Sequence, residues 1–411
     1  MTTGGIEILA PAGDFERLRA AVDYGAHAVY LAGSEFGMRA GAANFCDEEL
    51  AQAIEFAHSR GVKVYVTCNT IPRCNETDRL GDFLSFIAQA GADAAIIADI
   101  GVMRMAQRRA PGLAIHMSTQ TGIANHEAAN ALYELGASRV VLAREMSCDE
   151  IAALRAKTPK ELEIEVFVHG SMCVSFSGRC LLSNYLTGRD ANRGECAQPC
   201  RWGYHLMEET RPGQYFPIFE DEKGTHILNS RDLCLINRIP ELVSAGVSSF
   251  KIEGRAKSAY YTAVVTNAYR CAVEEYMKAP SPDFKTPEWL LDEVCTVSHR
   301  EYSEGFFTGG EPGQALWSGG YIRDYEVAAI VEDYDGSVLT VSQRNKFCVG
   351  QTLEVIMPGI KPFSFIAESM TDADSNLIES APHPTMTVKM PLASNPVPII
   401  KGAIIRRRKN I

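Results

Sequence analysis

The 411-residue sequence lacks any uninterrupted apolar run long enough to cross a bilayer, and its first thirteen residues have neither the basic start nor the apolar stretch of an export signal. The expectation is a cytoplasmic protein with no membrane partner. Positive charge is also short: 40 Lys and Arg stand against 51 Asp and Glu, for a net charge of -11. That balance argues against a protein that coats nucleic acid non-specifically, because such binding rests on cations neutralising phosphates. It leaves room for a local basic patch, and Lys401 with Arg406 to Lys409 form a basic end. Hydrolytic signatures are missing as well, with no His-Glu-x-x-His helix and no Gly-x-Ser-x-Gly elbow. Peptide hydrolysis is left with Cys173 and His169, or with a pair that no motif reveals. Cysteine, by contrast, is plentiful. Twelve thiols in a compartment that keeps them reduced do not make a disulfide framework, so metal binding or redox chemistry is the better reading.

From Ile6 to about Lys278 one unit recurs: a short apolar strand, a polar turn, an amphipathic helix and a glycine. Eight strands are expected, at Ile6–Leu9, His27–Leu31, Val62–Thr67, Ala94–Ala98, Ala114–Met117, Val140–Ala143, Ile164–Val168 and Ser249–Ile252. Several are apolar at nearly every position, as when helices cover one face of a parallel sheet and a barrel interior fills the other. Asp14, Asp47, Asn75 and Asn125 stand where helix N-caps are needed, and Ser147 with Glu150 makes a capping box. Gly25, Gly61, Gly91, Gly136 and Gly246 mark five equivalent helix-to-strand turns. The fold class is therefore α/β, a parallel (β/α)8 TIM-like barrel over residues 1–283, with a doubly wound open sheet as its competitor.

Two breaks interrupt the repeat. A cysteine-rich insertion occupies about 170–248 and ends in a hairpin-like stretch with turns at Pro212-Gly213 and Lys223-Gly224. Residues 284–320 read as a helical or loop connection. Beyond them, 321–411 carries short β-branched runs with balanced charge, expected to form a small C-terminal all-β barrel. Tyr321, Tyr325, Phe347 and Phe363 in that region are candidates for base stacking, or for its core.

The insertion places Cys173, Cys180, Cys196 and Cys200 within twenty-eight residues, just after the seventh strand. Thiolates suit iron-sulfur clusters and zinc alike. Structural zinc prefers two close pairs, and here only Cys196 and Cys200 are close, whereas a cluster tolerates wider loops. Buried or redox thiols remain the third option. Of the other cysteines, 46, 68, 74, 148, 234, 271, 295 and 348, most are expected to be small core residues, and Cys234 is the one most able to replace a member of the four. The strand ends bring Arg39, Asn69, Ser118, Gln120, Arg144, Glu145, His169, Glu253 and Arg255 to the C-terminal rim, where barrel enzymes build their sites. Arg39, Asn69, Gln120, Arg144 and Arg255 are the substrate-binding candidates, and His169, Lys251 and Glu253 the catalytic ones. The arginines could equally brace the rim against Glu145 and Glu253, and Lys251 could rest in a salt bridge.

The stretch Glu165-Val-Phe167-Val-His169-Gly170-Ser171-Met-Cys173, with Gly178-Arg-Cys180-Leu-Leu-Ser183, resembles the signature of the collagenase-like peptidase family. Glu7-Ile-Leu-Ala-Pro11-Ala-Gly13, Lys251-Ile-Glu253-Gly254-Arg255 and Gly305-Phe-Phe-Thr-Gly309 also look like family motifs, so the resemblance covers essentially the whole chain. Within the family it is most similar to long members that act with prephenate in 5-hydroxylation of the wobble uridine of tRNA. The resemblance implies a 4Fe-4S cluster on Cys173, Cys180, Cys196 and Cys200, prephenate as co-substrate held by arginine forks, tRNA as partner, and a related family member as hetero-partner. Ribosomal RNA cytidine hydroxylation and proteolysis are the alternatives. Relatives do not all place the fourth cysteine alike, which keeps Cys234 in contention with Cys200.

Overall fold

The apolar repeats assemble into a closed sheet. A computed structural model describes residues 5–38, 44–172, 182–191, 194–199, 219–221, 224–226, 231–310, 321–392 and 397–409. The chain divides into two units, 1–287 with 299–321 and 288–298 with 322–411. In the first, β1 (Glu7–Pro11), β2 (Ala28–Leu31), β3 (Lys63–Cys68), β4 (Ala94–Ile97), β5 (Ala114–Met117), β6 (Arg139–Val141) and β7 (Glu163–Ser171) pair in parallel, each with the next. The eighth strand, β8 (Ser249–Ile252), pairs in parallel with both β7 and β1, and so closes the barrel. The open-sheet alternative is thereby excluded. β2, β4 and β6 are buried at every position, as strands covered on both faces must be.

The turns explain the regularity. All five repeat glycines have positive φ, from 71° at Gly61 to 106° at Gly136, the left-handed conformation that ends a helix without a Cβ penalty. Asp14 accepts from the Arg17 N–H and Asn125 from the Ala128 N–H, both at 2.9 Å, and the Ser147–Glu150 box is reciprocal. Two expected caps are displaced. The helix Asp47–His58 is capped by Cys46, whose N–H is bound by the Glu49 carboxylate at 2.9 Å, so Asp47 is already its first residue. Asn75 falls inside a 3-10 turn, Cys74–Glu76, and the following helix starts at Thr77.

Beyond closure, the rim end of β7 carries two more strands. Asp232–Cys234 runs antiparallel to β7, and Tyr302–Ser303 lies parallel to it on the outside. Within the stretch 284–320, read as a helical or loop connection, Tyr302–Ser303 is hydrogen-bonded into the barrel sheet, the helix Glu288–Thr296 belongs to the second unit, and 311–320 lie outside the described residues. Phe219–Asp221 and Gly224–His226 pair antiparallel; Lys223 and Pro212-Gly213 lie outside the described residues.

Apart from the helix Glu288–Thr296, the second unit holds the expected all-β region, whose main sheet is antiparallel with eight strands ordered Ile360–Ile366, Thr352–Met357, Ile404–Arg408, Tyr325–Tyr334, Val338–Gln343, Thr387–Pro391, Met370–Thr371, Leu377–Ile378. Phe347 is fully buried in its core and Phe363 packs against that core, so neither is a stacking platform. Tyr321 falls in the first unit. The basic end is not a tail. Ile404–Arg408 is an inner strand, and Arg406, 3% exposed, is held by Glu293 and Glu354 at 2.6 Å each. The scattered cysteines also depart from expectation: of the eight, only Cys68 and Cys271 are buried, because the rest fall on helix ends, turns and edges.

Candidate functional site

Charged residues punctuate the inward face of the apolar barrel strands. Arg139, at the start of β6, donates to Glu7 of β1 at 2.6 Å, to Glu165 of β7 at 2.9 Å and to Glu163 at 2.7 Å. Glu165, wholly buried, also accepts from Lys251 of β8 at 2.7 Å. Glu7 accepts further from the Tyr65 hydroxyl at 2.6 Å and the Ser249 hydroxyl at 2.8 Å. Burial alone would raise the Glu7 carboxyl, but Arg139 and these donors outweigh it and hold it below its ordinary range. Burial likewise works against the Arg139 charge, yet Glu7 and Glu165 hold its pKa well above normal. His116 stacks edge-on against Tyr65 at 4.6 Å and is driven well below its usual pKa by burial, then by Arg139 and Lys251. Lys251 therefore sits inside the barrel in an ion pair, with Tyr30 and Phe167 rings 4.7 and 5.3 Å from its ammonium.

Above this layer lies the rim. Arg144 spreads its guanidinium over Phe167 at 3.8 Å, donates to the Ser171 carbonyl at 2.7 Å and meets Glu253 at 3.3 Å. Its Nε is buried with no hydrogen-bond partner among the described residues, and so is Gln120 Nε2. Asn69 donates to Gln120 Oε1 at 2.7 Å and accepts from the Met38 N–H at 3.1 Å. Arg255 donates to Thr67 Oγ1 at 3.0 Å and to the Met38 carbonyl, which leads directly to Arg39, outside the described residues. Gly170 makes the Arg144–Glu253 meeting possible. It has φ +113°, and a Cβ there would fall 2.5 Å from the Glu253 carbonyl oxygen.

His169 is brought not to open rim but into an aromatic box, 1% exposed, among Tyr261, Tyr269 and Tyr302. Tyr269 spends its proton on the Val168 carbonyl at 2.7 Å, so the Nδ1–H, 3.4 Å away, is the donor to its oxygen. Nε2 then accepts from the Tyr302 hydroxyl at 3.2 Å. Burial, then the charges of His299 and Lys257, push His169 down to about 3. Cys234 lies directly across from His169 in the strand register and is partly buried. Cys196 is partly exposed, and its Sγ accepts the Gln198 N–H at 3.4 Å. Cys173, Cys180 and Cys200 lie outside the described residues.

The structure thus joins Arg144 to Glu253 and Asn69 to Gln120, and separates Lys251 and His169 from them by depth and by enclosure. Sequence reasoning missed Glu7, Tyr65, His116, Arg139 and Tyr302. The signal for the first four was there, as polar residues at alternate positions of strands otherwise apolar; Tyr302 is placed only by a pairing between segments far apart in the chain.

A closed parallel barrel with an ionic interior, a polar C-terminal rim and a thiol-bearing insertion at the end of one strand has the architecture of a barrel enzyme. The chain belongs to Peptidase family U32: the family model matches residues 13–316, and the model of the Peptidase family U32 C-terminal domain matches residues 323–406. It is 38% identical to tRNA hydroxylation protein P1 of Bacillus subtilis over 94% of this chain and 92% of that one. It is 33% identical to tRNA hydroxylation protein P of Escherichia coli over 94% and 93%. A 23S rRNA 5-hydroxycytidine C2501 synthase of Escherichia coli is 38% identical over 73% of this chain and 45% of that one.

Proposed function

We propose that this chain is an RNA hydroxylase that acts in the cytoplasm on tRNA, forming 5-hydroxyuridine at the wobble position with prephenate as co-substrate. The carrying observation is that two tRNA hydroxylation proteins match 94% of this chain and more than nine-tenths of their own length, whereas the match to the rRNA synthase covers 45% of that protein. Among the described residues no helix is long and apolar enough to cross a membrane.

The donor set suits an iron-sulfur cluster. Cys173, Cys180 and Cys196, with Cys200 or Cys234, would hold it, and Cys196 already accepts a backbone N–H, as ligating sulfurs do. Such a cluster supplies one-electron transfers that side chains cannot. What the chain itself contributes is positioning. Arg144 Nε and Gln120 Nε2 are buried donors without protein acceptors among the described residues, a poor arrangement unless an oxygen-rich ligand meets them. A dicarboxylate co-substrate has the right chemistry, with Arg144 as the fork and Glu253 setting its orientation. A second family member as hetero-partner remains part of this proposal. Proteolysis by Cys173 and His169 draws no support, because His169 is enclosed, bonded at both nitrogens and too weak a base at about 3.

Mass spectrometry of tRNA nucleosides from cells lacking the gene tests the reading. Loss of 5-hydroxyuridine-derived nucleosides, restored by wild type but not by Cys173→Ala, is the expected result. Complementation with Cys200→Ala and Cys234→Ala separately identifies the fourth thiol. An unchanged profile in cells without a redundant enzyme would sink the proposal.

A further inference from the structure

The second unit contains an open groove of about 400 Å³ between the helix Glu288–Thr296 and the sheet, and nothing in the barrel chemistry uses it. Its back wall is the buried Arg406, fully committed to Glu293, Glu354 and the Thr296 hydroxyl and laid 4.9 Å from the Tyr325 ring. That wall is rigid and electrically satisfied. The groups in front of it are not. Asp292 and Asp324 line the groove and make no ion pair among the described residues, and the same holds for Lys361 and Arg408. Trp289 lines it too, partly exposed and with no ring or cation partner among the described residues.

An indole face, two carboxylates and two cations in one groove match the three parts of a nucleotide. Aromatic faces stack bases, carboxylates accept from exocyclic amino groups, and cations meet phosphates. A peptide would also find charge here. The pairing of a partly exposed indole with acceptor-only carboxylates favours a flat ring whose edge donates hydrogen bonds. We propose that this groove holds one unpaired nucleotide of the RNA substrate, its base on Trp289, an amino-bearing edge toward Asp292 and Asp324, and its phosphates toward Lys361 and Arg408. The inference rests on the tRNA reading above and adds to it a second grip, built within the second unit alone, that prefers cytidine, adenosine or guanosine over uridine.

The test measures binding of the full chain to fluorescent cytidine and uridine octamers, and to tRNA, as a function of salt. Wild type is expected to bind the cytidine octamer more tightly. Trp289→Ala should weaken both octamers by about fivefold or more. The doubly substituted Asp292→Asn, Asp324→Asn chain, altered only at polar positions facing the groove, should lose the cytidine preference while keeping uridine affinity. Reversing Lys361 and Arg408 to Glu should flatten the salt dependence by a slope of about 1.4. Circular dichroism melts confirm that each variant folds. Unchanged octamer and tRNA affinity in folded Trp289→Ala and Asp→Asn chains would overturn the groove assignment and leave tRNA hydroxylation standing. Trp289-dependent capture of peptides but not RNA would overturn it as well. Failure of wild type to bind or modify any tRNA would defeat the functional reading itself.

Discussion

Glu165 is the residue on which the barrel interior turns. It is wholly buried and joins Arg139 to Lys251, two cations that share no other bridging carboxylate among the described residues. Removing its charge while keeping its shape leaves Lys251 buried and unpaired. Glu165→Gln should therefore cost about 3–5 kcal/mol, read from urea unfolding. A loss below about 1 kcal/mol would mean that water reaches Lys251. His169 makes the barrel acid-sensitive. Its folded pKa is about 3 against 6.5 when unfolded, so the unfolded chain binds the extra proton between those values. The stability it contributes is complete above pH 6.5 and is lost as the pH falls toward 3. Between pH 7 and pH 5 the loss is about 2 kcal/mol from this one ring. His116 and Glu7 are shifted downward too and act with the same sign. His169→Asn should shrink the pH 7 to pH 5 difference by about that amount, and an unaltered difference would show that the imidazole is hydrated.

The strand ends decide how the rim is built. Gly170 and Glu253 come from β7 and from the residue after β8, and a side chain on Gly170 would strike the Glu253 backbone. Gly170→Ala should cost about 2–5 kcal/mol and pull Glu253 from Arg144, with tRNA hydroxylation falling while the thiols stay intact. Normal activity in that variant would remove the Arg144–Glu253 pair from the site. At this scale the barrel was largely legible, because apolar strands and left-handed glycines are local features. The five repeat glycines and three of the five caps are where the pattern placed them. What was not legible depended on partners distant in sequence. Ile404–Arg408 reads as a basic tail until Glu293 and Glu354 are seen beside Arg406, and Tyr302 reads as loop until it pairs beside Leu233. Rim residues were found because they follow strands directly, and the inward charges were missed because their neighbours are apolar.

Considered as one molecule, the chain commits several of its arginines to its own carboxylates. Arg139, Arg238, Arg406 and Arg407 are each spent on internal pairs, consistent with a net charge of -11 and with RNA contact confined to a few places. The strand beyond barrel closure has another effect. Ser171 and Asp232 face each other in register, so the chain leaves the barrel for the cysteine-rich insertion and returns at neighbouring positions on adjacent strands. With entry and exit that close together, bridging the ends of the insertion with a short linker adds little loop-closure entropy. A chain in which a few glycines and serines replace residues 174–229 is expected to keep the barrel's cooperative melt while losing activity, together with any iron that the proposed cluster brings. The barrel closes through β7 and β8 without the insertion, so the fold and the thiols are written in separable stretches of one chain.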